Sequence, residues 1–295
     1  MTGLEHESFP PPGIDLSHPS VARVYDYYLG GTAHWEIDRQ FAGRMLRDYP
    51  MVRPIARANR RFLHRAVRHL VRAGIRQIVD LGSGLPTMGH AHEIAEQIAP
   101  GEVRVAYVDS EPVAVAHSTS LLRETGDPAR QVALHADLRD PRRLWSLLAG
   151  SGVIDLDRPI ALLLVCVLHI RQPPAPGSGS TADLGPSLTA EYRDLLAPGS
   201  YLALSHVTHE GVPPHCEQLL ADAKERYAEA GTDLIYRSRR EIAGLFGDFA
   251  LLEPGITWTP LWHPEAGGPD DQTFPPEKAN EALLLAGVAR KEPRH

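Results

Sequence analysis

Three carboxylates in the chain stand where three successive apolar segments stop, and each is followed by residues suited to holding part of a nucleoside. The first is Asp80, in Val79-Asp80-Leu81-Gly82-Ser83-Gly84-Leu85-Pro86-Thr87. Gly82 and Gly84 let the backbone pass close to a ligand, and a helix starting there would offer free N–H groups. Alone, a D-x-G-x-G turn is equally what tight strand-to-helix packing requires. The second, Asp109, follows Gly84 by 25 positions, near the spacing of about 20 at which a ribose-binding carboxylate stands in Rossmann units. Asp109 or Ser110 could instead cap a helix beginning at Pro112. The third, Asp137, lies in His135-Ala136-Asp137-Leu138-Arg139-Asp140-Pro141. Its carboxylate can accept from the exocyclic amine of adenine, with Leu138 packing on the ring. Asp140, directly before Pro141, is the better helix cap. Three acidic ends in consecutive units are poorly explained as three independent caps, and together they read as one nucleoside site.

The first turn narrows the ligand. Gly82-Ser83-Gly84-Leu85-Pro86-Thr87 lacks the third glycine of the dinucleotide pattern, which disfavours nicotinamide, and an acidic residue two positions before the first glycine is the methyltransferase form of the turn. The expected cofactor is S-adenosylmethionine. Methyl transfer from a sulfonium needs mainly proximity and alignment, with removal of a proton when the acceptor is a hydroxyl or an amine. His169 and His206, each at the end of an apolar segment, are the candidate bases. A histidine there can equally do no more than bond a neighbouring loop. His206, His209, His215 and Cys216 fall close together, but their spacing matches no zinc pattern, so no metal is expected. Trp258 and Trp262 could stack on a flat acceptor, with core packing the plainer role.

The elements that must position these groups alternate. Apolar strands are expected at Gln77–Leu81, Val103–Val108, Val132–Ala136, Ile160–Leu168 and Tyr201–Ser205, with helices between them around 90–98, 112–123, 141–148 and 188–196. That texture predicts a parallel sheet covered on both faces. Helices at 214–230 and 238–245 and strands at 250–252 and 282–289 would close the sheet. Ahead of it, 20–48 reads as a helix broken at Gly30-Gly31, and 54–73 as a second helix whose Arg57, Arg61, Arg65, Arg68 and Arg72 form a solvated outer face. Two breaker-rich stretches, 173–186 and 263–280, are expected to be loops.

Composition excludes little but points one way. The chain has 295 residues, 43% of them hydrophobic, and a net charge of −7, which suits one sizeable core and gives no basic groove for nucleic acid. Cys166 and Cys216 form no disulfide framework or metal pair, so a reducing, cytoplasmic setting is expected. The longest apolar run is too short to span a bilayer, and no targeting segment is evident. Residues 1–17 read as a disordered tail, and 18–295 as a single domain with a helical cap at about 18–73.

The strings PSVARVYDYYLGG at 19–31, NRRFLHRAVRHLVRAGIRQIVDLGSGLPT at 59–87, YVDSEPVAVAH at 107–117, ADLRDP at 136–141 and LAPGSYLALSH at 196–206 resemble an actinobacterial S-adenosyl methyltransferase family. That family was first catalogued as a domain of unknown function and falls within the class I methyltransferases. The resemblance runs nearly the full length. It implies an α/β Rossmann-like fold, a seven-stranded mostly parallel sheet in the order 3-2-1-4-5-7-6, and an N-terminal helical lid over the cofactor. It further implies that Tyr25, Tyr28, Gly30, Gly31, Asn59 and Arg60 belong to the lid and the carboxylate-binding end, with Arg60 forking onto the methionine carboxylate. The expected cofactor-binding set is therefore Tyr25, Arg60, Asp80, Gly82, Ser83, Gly84, Asp109, Ser110, Asp137 and Leu138. The acceptor is expected to be a small molecule held by the cap and by the loops at 171–187 and 263–280. The rival reading is a non-catalytic sensor of S-adenosylmethionine or S-adenosylhomocysteine. Neither the oligomeric state nor the acceptor's identity follows from the sequence.

Overall fold

A computed structural model of the chain describes residues 14–85, 87–175, 177, 180–267 and 274–293. The expected tail therefore lies outside the described residues, apart from 14–17, as do parts of both breaker-rich loops. The helices are α1 (Val21–Leu29), α2 (Glu36–Asp48), α3 (Val52–Arg72), α4 (Ala91–Glu96), α5 (Pro112–Thr125), α6 (Pro141–Gly150), α7 (Gly185–Leu195), α8 (Pro214–Glu229) and α9 (Arg239–Phe246). The strands are β1 (Gln77–Leu81), β2 (Arg104–Asp109), β3 (Gln131–His135), β4 (Ala161–Val165), β5 (Tyr201–Val207), β6 (Ala250–Leu251), β7 (Thr257–Trp258) and β8 (Leu284–Arg290).

The strands form one sheet in the order β3-β2-β1-β4-β5-β8-β6. The first five are mutually parallel and β8 returns antiparallel. This is the expected Rossmann-like methyltransferase sheet with one strand more than foreseen. The short β7 shares the far edge of β8 with β6, pairing Thr257 with Ala286 and Trp258 with Leu285. A two-residue strand has too few alternating positions to register as a pattern.

Two apolar layers flank the sheet. On one face α6, α7 and α9 bring Leu144, Leu148, Tyr192 and Phe246 against β4 and β5. On the other, α3 lays Phe62, Ala66, Val67 and Leu70 against Ile78, Leu163 and Ala203. Burial of both faces explains why β1 and β4 read as near-continuous hydrophobic runs. A third cluster joins α1, α2 and α8 through Val24, Tyr28, Phe41, Met45, Leu219 and Leu220. The start of α3 joins this cluster through Ala56, with Val52 and Ile55 packed on it, so the cap is α1, α2, the start of α3 and α8, while the rest of α3 packs on the sheet.

Two further expectations are corrected. β4 ends at Val165, not Leu168, because Cys166 adopts φ +64° and turns the chain out of the sheet; an apolar run carries no mark of such a turn. The arginines of α3 do not form one solvated face. Arg65 is buried, with Nε donating to Trp262 O at 2.8 Å and Nη2 to Thr259 O at 2.6 Å. The segment after β7 wraps α3 and covers the side that the helix pattern left for solvent. Trp262 itself is fully buried, edge-on to Phe62 at 5.5 Å. Among the described residues no helix is long and apolar enough to cross a membrane.

Candidate functional site

The turn after β1 is built around its two glycines. Gly82 has φ +67°, and a Cβ there would lie 2.7 Å from Val167 Cγ2, so both the backbone and the packing exclude a larger residue. Gly84, with φ +62°, faces open space. Its N–H donates to Asp109 Oδ2 at 2.7 Å, and Glu111 N donates to Asp109 Oδ1 at 2.8 Å. One carboxylate at the end of β2 therefore fixes the rim of the glycine turn and the entry to α5. Burial pushes the Asp109 carboxyl up, opposed by these backbone donors. Ser110 O is bonded to His135 Nε2 at 3.0 Å. Asp140 caps α6 by accepting from Arg143 N at 3.1 Å, which leaves Asp137 free of that duty. Asp137 instead takes the Arg139 guanidinium in a fork at 2.9 and 2.6 Å. Burial acts to raise its carboxyl, and the bonds from Arg139 outweigh burial and hold it below the usual range. Leu138 O accepts from Tyr192 at 2.6 Å.

Beneath the turn, Asp80 is buried, and desolvation pushes its carboxyl up to about 7, Arg60 pulling against that shift and Asp109 adding to it. Arg60 is itself buried. Its Nη2 donates to Gly89 O at 2.7 Å, and its Nε has no partner among the described residues. Tyr25 is not a free ligand group: its hydroxyl donates to Ala56 O at 3.0 Å and accepts from Asn59 Nδ2 at 2.9 Å, while Asn59 Oδ1 accepts from Ser205 at 2.6 Å. This chain ties α1 to α3 and β5.

These groups open into one cavity of about 620 Å³, within the roughly 300–1,000 Å³ range of small-ligand sites. It is lined by all ten residues of the expected cofactor set. From that end it continues under the cap, between Tyr28, Met45 and Ile55 on one side and Leu219, Leu220, Ala223, Tyr227, Leu234 and Tyr236 on the other. The expected loop walls are corrected here. Only Arg171, Gln172 and Pro173 of the first loop, and none of the described residues of 263–280, reach the cavity; α8 and the segment 232–236 take their place. The first loop closes at its neck instead, where Gln172 N donates to Asp183 Oδ1 at 2.9 Å and Leu184 N to Gln172 O at 2.8 Å.

The two histidines part company. His169 lines the cavity and is buried. Its Nδ1 has no partner among the described residues, and its Nε2 lies 3.9 Å from Cys166 Sγ. Burial, with His206 and Arg237 adding to it, pushes His169 down to about 3. His206 is not a cavity wall. It is fully buried in β5, Nδ1 against Val207 O at 2.7 Å and Nε2 against Leu168 O at 3.0 Å, with the Arg237 guanidinium beside it. The expected base role for His206 fails on access. Trp258 and Trp262 also lie outside the cavity.

The sequence profile described as S-adenosyl methyltransferase matches residues 7–292. The chain belongs to the S-adenosyl methyltransferase family. Among solved structures, a candidate methyltransferase from Thermobifida fusca YX is 36% identical, with a TM-score of 0.81, covering 97% of this chain and 100% of that one. A DUF574 family protein from Streptomyces avermitilis MA-4680 is 31% identical, with a TM-score of 0.79, covering 94% and 98%. No curated protein matches the chain in sequence.

The methyl donor of this family, S-adenosylmethionine, fits the residues present. The open cradle at Gly84 admits its backbone-hugging part, and the orphaned Arg60 Nε suits a carboxylate. Asp80 lines the same cavity, so a cationic donor held beside it gives a pH test. Asp80 is neutral well below pH 7 and ionised above, and a cation favours the ionised form. Binding therefore releases a proton and tightens as pH rises through 7. Affinity for S-adenosylmethionine should increase about tenfold between about pH 6 and about pH 8, read by titration calorimetry in two buffers of different ionisation enthalpy. A flat profile would show that Asp80 does not titrate with the ligand.

The methyltransferase lid is latched by Asp26 and Arg23, which carry no motif of their own. Asp26 accepts from Ala33 N at 3.0 Å and from Thr87, which closes the glycine turn. A Cβ on Gly31 would collide with the Asp26 carboxylate, so Gly31 is glycine for packing, whereas Gly30, at φ +89°, is one for conformation. Arg23 is buried in α1, with Nε on Asp38 Oδ2 at 2.8 Å, Nη1 on Glu111 at 3.3 Å, and Nη2 on the carbonyls of Asp15 and His18. The signal was present as charged residues on the apolar faces of α1 and α2.

Proposed function

We propose that this S-adenosylmethionine-dependent methyltransferase acts on a small-molecule acceptor held under its cap, and that His169 receives the proton the acceptor gives up. The observation that carries the reading is continuity: one cavity joins the cofactor residues to an apolar compartment, with His169 in its wall. Bound, the cofactor supplies a methyl group on a sulfonium. Asp109, Asp80 and Arg60 hold and orient it, Asp137 and Leu138 receive the adenine, and α1, α2 and α8 exclude water from the transfer. The apolar part of the cavity lies under α1, α2 and α8, which suits a small acceptor better than a polymer.

The experiment is formation of S-adenosylhomocysteine from S-adenosylmethionine in the presence of separated cell fractions. Turnover is expected with the dialysable fraction and not with RNA or protein. Binding without turnover in any fraction would favour the sensor reading. In the active fraction, His169→Ala should lower kcat by about 10²- to 10⁴-fold and leave S-adenosylhomocysteine affinity within about twofold, a split that a merely structural loss would not produce. Equal losses in both would remove His169 from the chemistry.

A further inference from the structure

We infer that the acceptor is an uncharged, largely apolar molecule carrying a phenol-like hydroxyl; this rests on the methyltransferase reading above and specifies its second substrate. The compartment under the cap draws its walls from α2, α8 and the segments 232–236 and 283–284, and none of the wall residues they contribute is charged. Charged groups of the cavity belong to the cofactor end or to its rim, where Arg171 is already paired with Asp233 at 3.2 Å. A carboxylate or ammonium on the acceptor would be buried without a counter-ion, and burial of an unpaired charge outweighs every contact such a wall offers. A cationic acceptor would in addition face the sulfonium.

Polar recognition is nevertheless built in. The Tyr28 and Tyr227 hydroxyls are buried against each other, and His169 Nδ1 has no hydrogen-bond partner among the described residues, in a side chain more than nine-tenths buried. Such an atom in a residue of the cavity wall is one that a ligand can complete. Tyr28, Tyr227 and Tyr236 offer ring surfaces suited to a flat partner. In the tautomer protonated at Nε2, which lies 3.9 Å from Cys166 Sγ, Nδ1 keeps its lone pair for the acceptor hydroxyl. In the transfer the acceptor oxygen forms the bond to the methyl carbon, the pair of the broken carbon–sulfur bond stays on sulfur, and the hydroxyl proton passes to Nδ1. The positive charge that leaves the sulfonium reappears on the imidazole, so no net charge is created in a compartment that has no means of solvating it.

Three phenols that differ only in one arm test this: para-ethylphenol, para-hydroxyphenylacetate and tyramine, titrated calorimetrically into protein saturated with S-adenosylhomocysteine. The neutral phenol should bind at least about 30-fold more tightly than either charged one. Tyr28→Phe should weaken para-ethylphenol about three- to tenfold, with S-adenosylhomocysteine affinity unchanged. Leu220→Lys should raise the affinity for para-hydroxyphenylacetate by supplying the missing counter-ion. Equal or tighter binding of a charged phenol to the wild-type protein overturns the acceptor class and leaves the methyltransferase reading intact. Failure of S-adenosylhomocysteine itself to bind overturns the underlying reading, so the two failures are distinguishable.

Discussion

Replacing Asp109 by alanine is expected to weaken S-adenosylhomocysteine binding by about 100-fold or more while the protein remains folded. The carboxylate holds Gly84 N at 2.7 Å and Glu111 N at 2.8 Å, and hydrogen bonds to a charged group are worth about 1.5–3 kcal/mol each. In the variant both donors lose their acceptor at the cofactor end of the cavity, so the glycine turn and the start of α5 are no longer pinned to the same point. A ligand must then order the turn on binding and finds no carboxylate for its ribose. Asp109→Asn keeps one acceptor oxygen and should lose about tenfold, because its amide presents a donor to one of the two N–H groups. Calorimetric titration checks the affinities, and far-UV circular dichroism with a thermal melt checks the fold. Affinity within about twofold of wild type in folded Asp109→Ala would remove Asp109 from the site.

The sheet and the cofactor end were legible because their residues answer to local rules. β1 has the boundaries its apolar run implied, and Gly82, Gly84 and Asp109 meet at the turn because strand ends in a parallel sheet point to one edge. What escaped was decided by contacts across long separations. Arg65 lay in the periodic stripe of a solvated face until the segment after β7 covered it. His206 had the same sequence context as His169, and only the position of Arg237 and the Leu168 carbonyl tells a buried scaffold residue from a cavity wall. The acceptor compartment was assigned to loops because loops often carry specificity. The cavity is walled under the cap by α8 instead, whose ordinary amphipathic pattern does not say that Leu219, Leu220 and Tyr227 face a cap nearly two hundred residues earlier rather than the sheet.

The same long-range logic makes Arg23 the most consequential residue of the lid. Its guanidinium spans α1, α2, the start of α5 and the incoming segment at 15–18, and its main partner Asp38 is fully buried. Arg23→Met keeps the length of the side chain and removes the charge, leaving the Asp38 carboxylate with only the backbone donors Ser20 N at 3.0 Å and Trp35 N at 2.9 Å. Breaking a buried pair from one side costs about 3–5 kcal/mol, a large share of the roughly 5–15 kcal/mol that keeps a domain folded. Urea unfolding should show that loss. Adding Asp38→Asn should recover part of it, since the stranded charge is then gone while an acceptor for one backbone donor survives. A single-variant cost below about 1 kcal/mol would mean that water reaches Asp38 and that the pair does not hold the cap. Because Arg23 also grips Glu111, two residues beyond Asp109, loosening the lid releases the loop that bears the Asp109 carboxylate. The stability loss should therefore come with weaker cofactor binding, and S-adenosylhomocysteine should in turn raise the melting temperature of wild type more than that of the variant. Cap and cofactor end are then expected to behave as one cooperative unit, because the side chain that ties α1 to α2 also holds the residue that leads into α5.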